Sequence, residues 1–181
     1  HNINASNLQN DIDLDRNRNF EITAKRIVKG AHVTTGDSDD VITVVDGWGG
    51  WINNSSSVNL GNGSNMLSVA TNIDKSTVSA GSGNDVVTVG NWIREYSDIN
   101  LGDGNNTLAV GNKIINSTVT TGDGNDTIKV KNAIIGTTVK LGAGDDTVEV
   151  GNKDITDNTL TGKSDIDGGD GYDKLTITNP G

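Results

Sequence analysis

A unit of about 20 residues repeats along the chain, and this repeat restricts the fold more than any other feature of the sequence. Each unit has a glycine-rich turn that ends in Asp or Asn, between two stretches of alternating apolar and polar residues. The turns begin at Gly36, Gly61, Gly81, Gly102, Gly122, Gly142 and Gly169, mostly 20 or 21 residues apart. One such unit cannot bury a core alone, so the sequence predicts a stack of coils that share one core.

The alternation on both sides of each turn has the period of a β-strand. One predicted inward column contains Val58, Val78, Ile99, Val119 and Val139, and the other contains Leu67, Val87, Leu108, Ile128 and Val148. We therefore predict an all-β fold, a right-handed parallel β-roll or β-helix solenoid with two facing sheets and about eight coils of about 20 residues. Strands stacked about 4.8 Å apart would make a rod of roughly 38 Å.

The repeat also predicts how the chain is divided. Residues 1–31 form an N-terminal lead with a degenerate capping coil, in which the apolar register slips to Phe20 and Ile22. Residues 32–178 form the repeats, with insertions near 46–54 and 154–164, and residues 179–181 form a tail. A polar outer face is expected of a terminal repeat.

Composition limits the partners and the means of stabilisation. The net charge is −10, which argues against nucleic acid and anionic membranes as partners. No apolar run reaches the length of about 20 residues that a membrane helix needs, so membrane insertion is not expected. The chain has no cysteine, hence neither disulfides nor a cysteine zinc site, and bound metal is the natural substitute.

The glycine-rich turns follow the pattern G-x-G-x-D, and we call the side of the rod that they form the Gly–Asp edge. Glycine permits backbone conformations that turn carbonyl groups toward one point, and each aspartate adds a carboxylate. Calcium takes six to eight such oxygens. Carboxylates stacked one coil apart repel by about 3.5 kcal/mol at an effective dielectric of 20, which a cation would relieve. The competing interpretation is that the aspartates only cap tight turns in solvent.

Several consecutive turns resemble the calcium-binding repeats-in-toxin family. The resemblance rests on GSGNDVVTV (81–89), GDGNDTIKV (122–130), GAGDDTVEV (142–150) and GGDGYDKLTI (168–177). It implies a parallel β-roll that binds calcium between successive turns, in a secreted or cell-surface bacterial protein exported by type I secretion. The metal-binding residues that it implies are Asp40, Gly81, Gly83, Asp85, Gly122, Gly124, Asp126, Gly142, Gly144, Asp146, Asp170 and Asp173.

The sequence departs from the family in two ways. The commonest family form has a glycine-aspartate turn on both sides of each coil, whereas here the opposite side carries GNWIREYS (90–97), GNKIINS (111–117) and KNAIIGT (131–137). We call that side the Asn–Ile edge, and we expect Ile93, Ile114 and Ile134 to share one column. Asn91, Asn112 and Asn132 form a second column that predicts stacked amide hydrogen bonds. The second departure is that Asn65 and Asn106 replace the aspartate, so we expect weaker or absent calcium binding there.

Three classes of function fit this chain unequally. The leading prediction is a calcium-stabilised extender or adhesive module joined to neighbouring domains of a longer chain. A binding module is the alternative, either for carbohydrate at the insertion that carries Trp48 and Trp51 or for ice at an outward threonine column. The ice role is disfavoured, because Lys129 and Glu149 lie in the column beside Thr107, Thr127 and Thr147. An enzyme is not expected. A catalytic triad would have to use His32, but the sequence has no nucleophile motif such as G-x-S-x-G. The coils are also too short for the broad β-helix of polysaccharide-modifying enzymes, and fold analogy alone does not support that function.

Overall fold

The computed structural model describes residues 2–14, 18–45, 49–151, 160–161 and 164–178. These residues form twenty-two strands, which pair in parallel within three sheets, and they contain no helix. No helix in these ranges is thus long and apolar enough to cross a membrane. The predicted all-β parallel solenoid is confirmed. Parts of both predicted insertions and the tail lie outside the described residues.

The largest sheet has nine strands, one from each successive coil. Every inward position of one coil lies over the same position of the next, for example Leu108 beside Ile128 and Val110 beside Val130. The strands, in spatial order, are β1 (Asn2–Ala5), β3 (Glu21–Ala24), β5 (Val41–Val44), β7 (Met66–Val69), β10 (Val86–Val89), β13 (Thr107–Val110), β16 (Thr127–Val130), β19 (Thr147–Gly151) and β22 (Lys174–Thr178).

The facing sheet has eight shorter strands. Their central residues form the second predicted inward column, with Val78 beside Ile99 and Ile99 beside Val119. In spatial order these strands are β2 (Ile12–Asp13), β4 (His32–Thr34), β6 (Ser57–Asn59), β9 (Thr77–Ser79), β12 (Asp98–Asn100), β15 (Thr118–Thr120), β18 (Thr138–Lys140) and β21 (Asp165–Asp167).

A third sheet runs along the Asn–Ile edge, where the sequence predicts only turns. Its strands are β8 (Ile73–Asp74), β11 (Ile93–Arg94), β14 (Lys113–Ile115), β17 (Ala133–Ile135) and β20 (Leu160–Thr161). The predicted isoleucine column is confirmed, since Ile93 pairs with Ile114 and Ile114 with Ile134. Isolated bridges carry the column on through Ile73, Ile52, Ile27 and Leu8. The stacked isoleucines, which are β-branched, thus extend parallel strand pairing into the turns of the Asn–Ile edge.

The core is a continuous apolar column between the sheets. Its side chains are almost all fully buried, including Ile42, Leu67, Leu108 and Ile128 at 0% exposure. The predicted slip of the apolar register in the first units is wrong, because Ile22 lies beside Ile42 at the same inward position and is also fully buried. At the other end Leu175 and Ile177 continue the inward columns but remain 49% exposed, since β22 is the last strand of its sheet.

Candidate metal sites on the Gly–Asp edge

Close stacking of backbone explains the glycines of the Gly–Asp edge. The second glycine of each G-x-G motif has positive φ, for example 131° at Gly124 and 143° at Gly144. A Cβ on Gly124 would overlap the carbonyl oxygen of Gly104 in the preceding coil. Gly81 and Gly122, the first glycines of their motifs, are absent from the positive-φ residues, so there the absence of a side chain matters rather than φ.

The residue that ends each turn forms a ladder along the rod. Its Oδ1 accepts a hydrogen bond from the backbone N–H of the equivalent residue in the preceding coil, at 2.7 Å for Asp126 Oδ1 and Asn106 N. The same contact joins Asp146 Oδ1 to Asp126 N at 2.7 Å. The complete ladder runs Phe20, Asp40, Asn65, Asp85, Asn106, Asp126, Asp146 and Asp173. Aspartate and asparagine therefore have the same orientation in this column.

The other carboxylate oxygen has no such partner. Asp40, Asp85, Asp126 and Asp146 are at most 1% exposed, and the Oδ2 of each is buried without a hydrogen-bond partner among the described residues. Burial raises the pKa of the Asp85 and Asp126 carboxyls above the ordinary value of 3.8, because the charged form loses its hydration. A buried acceptor without a donor is costly, so each of these positions calls for a positive or protonated neighbour.

The asparagine coils show what lies around that oxygen. In Asn106 the amide Nδ2, which is equivalent to Oδ2 of aspartate, donates to the carbonyl oxygens of Gly102 and Gly104 at 2.9 and 3.0 Å. In Asn65 the amide reaches the Gly63 carbonyl oxygen at 3.1 Å and that of Gly61 at 3.5 Å. The carbonyls of both glycines in a turn therefore converge on this branch of the terminal side chain.

By the repeat, the same convergence in an aspartate coil sets a carboxylate oxygen against carbonyl oxygens. For Asp126 the equivalent carbonyls belong to Gly122 and Gly124, and for Asp146 to Gly142 and Gly144. All of these groups are hard oxygen acceptors, the donor type that calcium prefers. The donor set of these turns therefore fits a calcium ion better than it fits a softer metal.

Neighbouring carboxylates also repel one another. Asp126 and Asp146 occupy successive coils, and the nearby charge of Asp146 contributes, after burial, to raising the pKa of the Asp126 carboxyl. Two such charges about 4.8 Å apart repel by roughly 3.5 kcal/mol at an effective dielectric of 20. In the described part of the chain, no three His, Cys, Asp or Glu side chains converge as a metal cluster. A metal site here would therefore need oxygens besides those of the carboxylates.

The remaining predicted ligands lie in less enclosed positions. Asp173 is exposed, although its Oδ1 still accepts from Asp146 N at 3.1 Å, because no further described coil covers it. Asp170 is exposed and bridges to Ala143 in the preceding coil. The structure thus brings Asp40, Asp85, Asp126 and Asp146 into equivalent buried positions and leaves the last turn open. The repeat alignment places Asn65 and Asn106 at the aspartate position, but sequence reasoning missed the hydrogen bonds that make them part of the same ladder.

The Asn–Ile edge closes the coils through different contacts. The predicted amide ladder is confirmed: Asn112 Nδ2 donates to Asn91 Oδ1 at 2.9 Å, and Asn132 Nδ2 donates to Asn112 Oδ1 at 2.7 Å. Arg94 donates to both carboxylate oxygens of Asp74, at 2.7 and 3.3 Å, and its guanidinium lies 4.7 Å from the ring centroid of Trp92. This edge joins its coils through side-chain hydrogen bonds, although Asn53 Oδ1, Trp92 Nε1 and Asn132 Oδ1 are buried without a partner among the described residues.

Trp51 of the tryptophan insertion and His32, which the sequence also singled out, lie away from the Gly–Asp edge. Trp48 lies outside the described residues, whereas Trp51 is half-buried beneath the Arg26 guanidinium, which lies 5.7 Å from the ring centroid. His32 Nδ1 lies 2.6 Å from Ser57 Oγ, but Asp11 accepts from the backbone N–H of His32 rather than from its ring. The relay of a serine hydrolase needs a carboxylate on the ring itself.

The Gly–Asp edge thus carries four buried carboxylates in equivalent positions, each with one oxygen that has no hydrogen-bond partner among the described residues. No protein-family model, curated protein or solved structure matches the chain.

Proposed function

We propose that this chain is a calcium-stabilised structural module, an extender or adhesive segment of a secreted or cell-surface bacterial protein. Calcium binds between successive turns of the Gly–Asp edge and holds the rod in its folded form. The module acts by its shape and its stiffness rather than by catalysis, and its partners are calcium and the neighbouring domains of a longer chain.

One observation carries the proposal. Four buried carboxylates, those of Asp40, Asp85, Asp126 and Asp146, each leave one oxygen without a hydrogen-bond partner among the described residues. Carbonyl oxygens surround the equivalent atom in the asparagine coils. Such a set of acceptors is stable around a hard cation and unfavourable without one.

The residues that would hold calcium are Asp126 with the carbonyls of Gly122 and Gly124, and Asp146 with those of Gly142 and Gly144. Gly81, Gly83 and Asp85 form the equivalent set nearer the N-terminus, and Asp40 ends a turn of the same kind. Each turn offers fewer than the six to eight oxygens that calcium takes, so an adjoining turn or water must complete the shell.

Circular dichroism and thermal unfolding, with calcium and with a chelator, test this proposal. An ion that binds only the folded rod stabilises it by mass action, so chelation should lower the Tm or abolish the β-spectrum. Replacing Asp126 and Asp146 by alanine should remove much of the calcium response. The matched control, Asn112→Ala with Asn132→Ala on the opposite edge, should keep it. A chelated wild-type chain with an unchanged spectrum and Tm would refute the proposal.

A carbohydrate-binding role is the second candidate, and one cleft favours it. The cleft has a volume of about 270 Å³ and is lined by Arg26, Lys29, Trp51, Asn53 and Asn54 among others. Amides, cations and an aromatic ring are groups that bind sugar hydroxyls and acidic sugars. Glycan binding that Trp51→Ala abolishes, without loss of the β-spectrum, would favour this role over a purely structural one.

A further inference from the structure

The two asparagines of the buried ladder differ from the aspartates in one atom that matters. Asn106 and Asp126 both use Oδ1 to accept from the preceding coil. The other branch of Asn106 meets the carbonyls of the two glycines in its own turn, and by the repeat we take the Oδ2 of Asp126 to face the equivalent carbonyls of Gly122 and Gly124. An amide NH₂ is a donor and satisfies these carbonyls, whereas an ionised carboxylate can only accept.

The pattern of satisfied and unsatisfied atoms follows this difference through the ladder. The amide nitrogens of Asn65 and Asn106 donate to turn carbonyls, while the Oδ2 atoms of Asp40, Asp85, Asp126 and Asp146 lack partners in the described chain. All six side chains are at most 2% exposed. Because burial and orientation are shared, the missing donor is the difference between the two kinds of coil.

We infer that the Asn65 and Asn106 amides occupy, in their own coils, the position that a cation takes in the aspartate coils. These two coils therefore close without metal. The part of the inference that concerns the aspartate coils rests on the calcium binding proposed above, and the part that concerns the amides does not.

The order of residues along the ladder then divides the rod into two regions. From Asp40 to Asn106, each aspartate coil alternates with a coil that an amide closes. From Asp126 onward, Asp146 and Asp173 follow without an intervening asparagine, so the carboxylates are one coil apart rather than two. Coulomb repulsion doubles when the separation halves, so the C-terminal region depends more strongly on a cation. The rod thus has an N-terminal region that depends less on calcium and a C-terminal region that depends more on it.

The direct test converts aspartate coils into asparagine coils in the full chain. The double variant Asp126→Asn with Asp146→Asn keeps Oδ1 and supplies the missing donors, so its Tm in chelator should exceed that of the wild type by at least about 2 °C. The matched variant Asp126→Ala with Asp146→Ala lacks both the acceptor and the donor, and its Tm should fall. If the asparagine variant is no more stable than the wild type in chelator, the inference is wrong.

The reverse test creates a cation site. Asn106→Asp should lower the Tm in chelator, recover it in calcium, and add one bound calcium ion per chain in a calorimetric titration. Asn105→Asp is the control, because it makes the same charge change at an exposed neighbour and should leave the number of bound ions unchanged. An Asn106→Asp chain that binds no additional calcium would contradict the equivalence of amide and cation.

The two proposals fail in distinguishable ways. If calcium affects neither the wild type nor Asn106→Asp, but the asparagine double variant is stabilised in chelator, calcium binding is wrong and the amide contribution stands. If the wild type responds to calcium and the asparagine variant gains nothing, the opposite holds.

Hydrogen exchange in chelator tests the division of the rod. Amides of β16 and β19, which lie in the C-terminal region, should exchange faster than those of β7 and β10, and calcium should remove most of that difference. Uniform exchange along the rod in chelator would overturn the division into two regions.

Discussion

The Gly–Asp edge and the Asn–Ile edge close the same coils, yet they bury opposite kinds of side chain. On the Gly–Asp edge, Asp85 and Asp126 are buried with one oxygen each that has no partner among the described residues. On the Asn–Ile edge, Ile93 and Ile114 are fully buried and an amide ladder joins successive coils. The unsatisfied atoms of the first edge are carboxylate oxygens, which carry charge, whereas those of the second are the neutral Asn53 Oδ1, Trp92 Nε1 and Asn132 Oδ1.

Charge separates the edges in the same direction. Acidic side chains crowd the Gly–Asp edge: Asp37, Asp39, Asp40, Asp85, Asp103, Asp123, Asp126, Asp145, Asp146, Asp170 and Asp173. On the described part of the opposite edge, cationic side chains outnumber the acidic Asp74 and Glu95: Lys25, Arg26, Lys29, Lys75, Arg94, Lys113 and Lys131. A rod with this distribution attracts cations to one edge and anions to the other. The net charge of −10 is therefore unevenly distributed, with most of the negative charge on the Gly–Asp edge.

The largest expected effect comes from removing a buried apolar side chain on the Asn–Ile edge, and it should not depend on calcium. Ile114→Ala removes a fully buried side chain from the Asn–Ile edge and should cost about 2–5 kcal/mol of unfolding free energy. The cost should be equal in calcium and in chelator, because the isoleucine column lies opposite the carboxylates. Denaturant unfolding measures it, and Ile115→Ala, at a half-buried neighbour, should cost less. A cost that depends on calcium would contradict the independence of the two edges.

The glycines of the two edges should respond differently to a side chain. Gly124 has φ of 131° and lies against the Gly104 carbonyl oxygen, so Gly124→Ala should cost about 1–3 kcal/mol in strain, with further loss from the backbone overlap. Gly136 has φ of 56°, close to the 46° and 47° that Asn116 and Lys75 adopt in earlier coils. A Cβ at Gly136 would overlap the end of the Asn116 side chain, which can rotate away, rather than backbone. Gly136→Asn should therefore cost less than Gly124→Ala in thermal unfolding. Equal losses at both glycines would contradict this account of the turns.

Protonation of the buried carboxyls at low pH should stabilise the fold in part when calcium is absent. Burial raises the pKa of the Asp40, Asp85, Asp126 and Asp146 carboxyls, so their protonated forms favour the folded state. That stabilisation is complete below the ordinary pKa of 3.8 and is lost as the pH rises through the raised pKa of the folded state.

In chelator, the Tm should therefore be higher near about pH 4 than near about pH 7.5. The difference should shrink in the variant with Asp126→Asn and Asp146→Asn, because an amide does not titrate in this range. Thermal scans in the two buffers measure both values. A chelated wild-type chain that is more stable at the higher pH would show that other groups dominate its titration.

The repeat predicts most of the fold because it gives two kinds of information. The alternation of apolar residues within a unit predicts the strands, and the spacing between units predicts which residues pair. Val87, Leu108 and Ile128 could be aligned by their distance from the turn glycines, and the same alignment predicts the sheet pairs. The third sheet could not be predicted in this way. Its strands are two or three residues long, and a run such as Ile93–Arg94 is too short to show a period.

The candidate site was predictable only in its residue types. The pattern G-x-G-x-D indicates oxygen ligands, but it does not tell which oxygen of Asp126 meets the backbone of the preceding coil. That depends on the stacking distance and on the burial of the turn. The structural equivalence of Asn106 and Asp126 could be found by alignment, whereas the donation from the Asn106 amide to Gly102 and Gly104 required coordinates.

The smallest expected effect tests whether charge matters on the Asn–Ile edge as it does on the other. Asp74 accepts two hydrogen bonds from Arg94 at 2.7 and 3.3 Å, and 32% of the Arg94 side chain is exposed. A partly exposed pair of this kind contributes about 1 kcal/mol or less, so Asp74→Asn should lower the free energy of unfolding by no more than that.

The loss from Asp74→Asn should shrink further in high salt, because solvent ions screen the pair. The calcium response should not change, since Arg94 already neutralises this carboxylate and the variant leaves the opposite edge untouched. The same change at Asp126, from carboxylate to amide, should by contrast raise the Tm in chelator and reduce the calcium response. If Asp74→Asn alters the calcium titration as strongly as Asp126→Asn does, carboxylates on both edges bind the ion and the one-edge account of calcium binding is wrong.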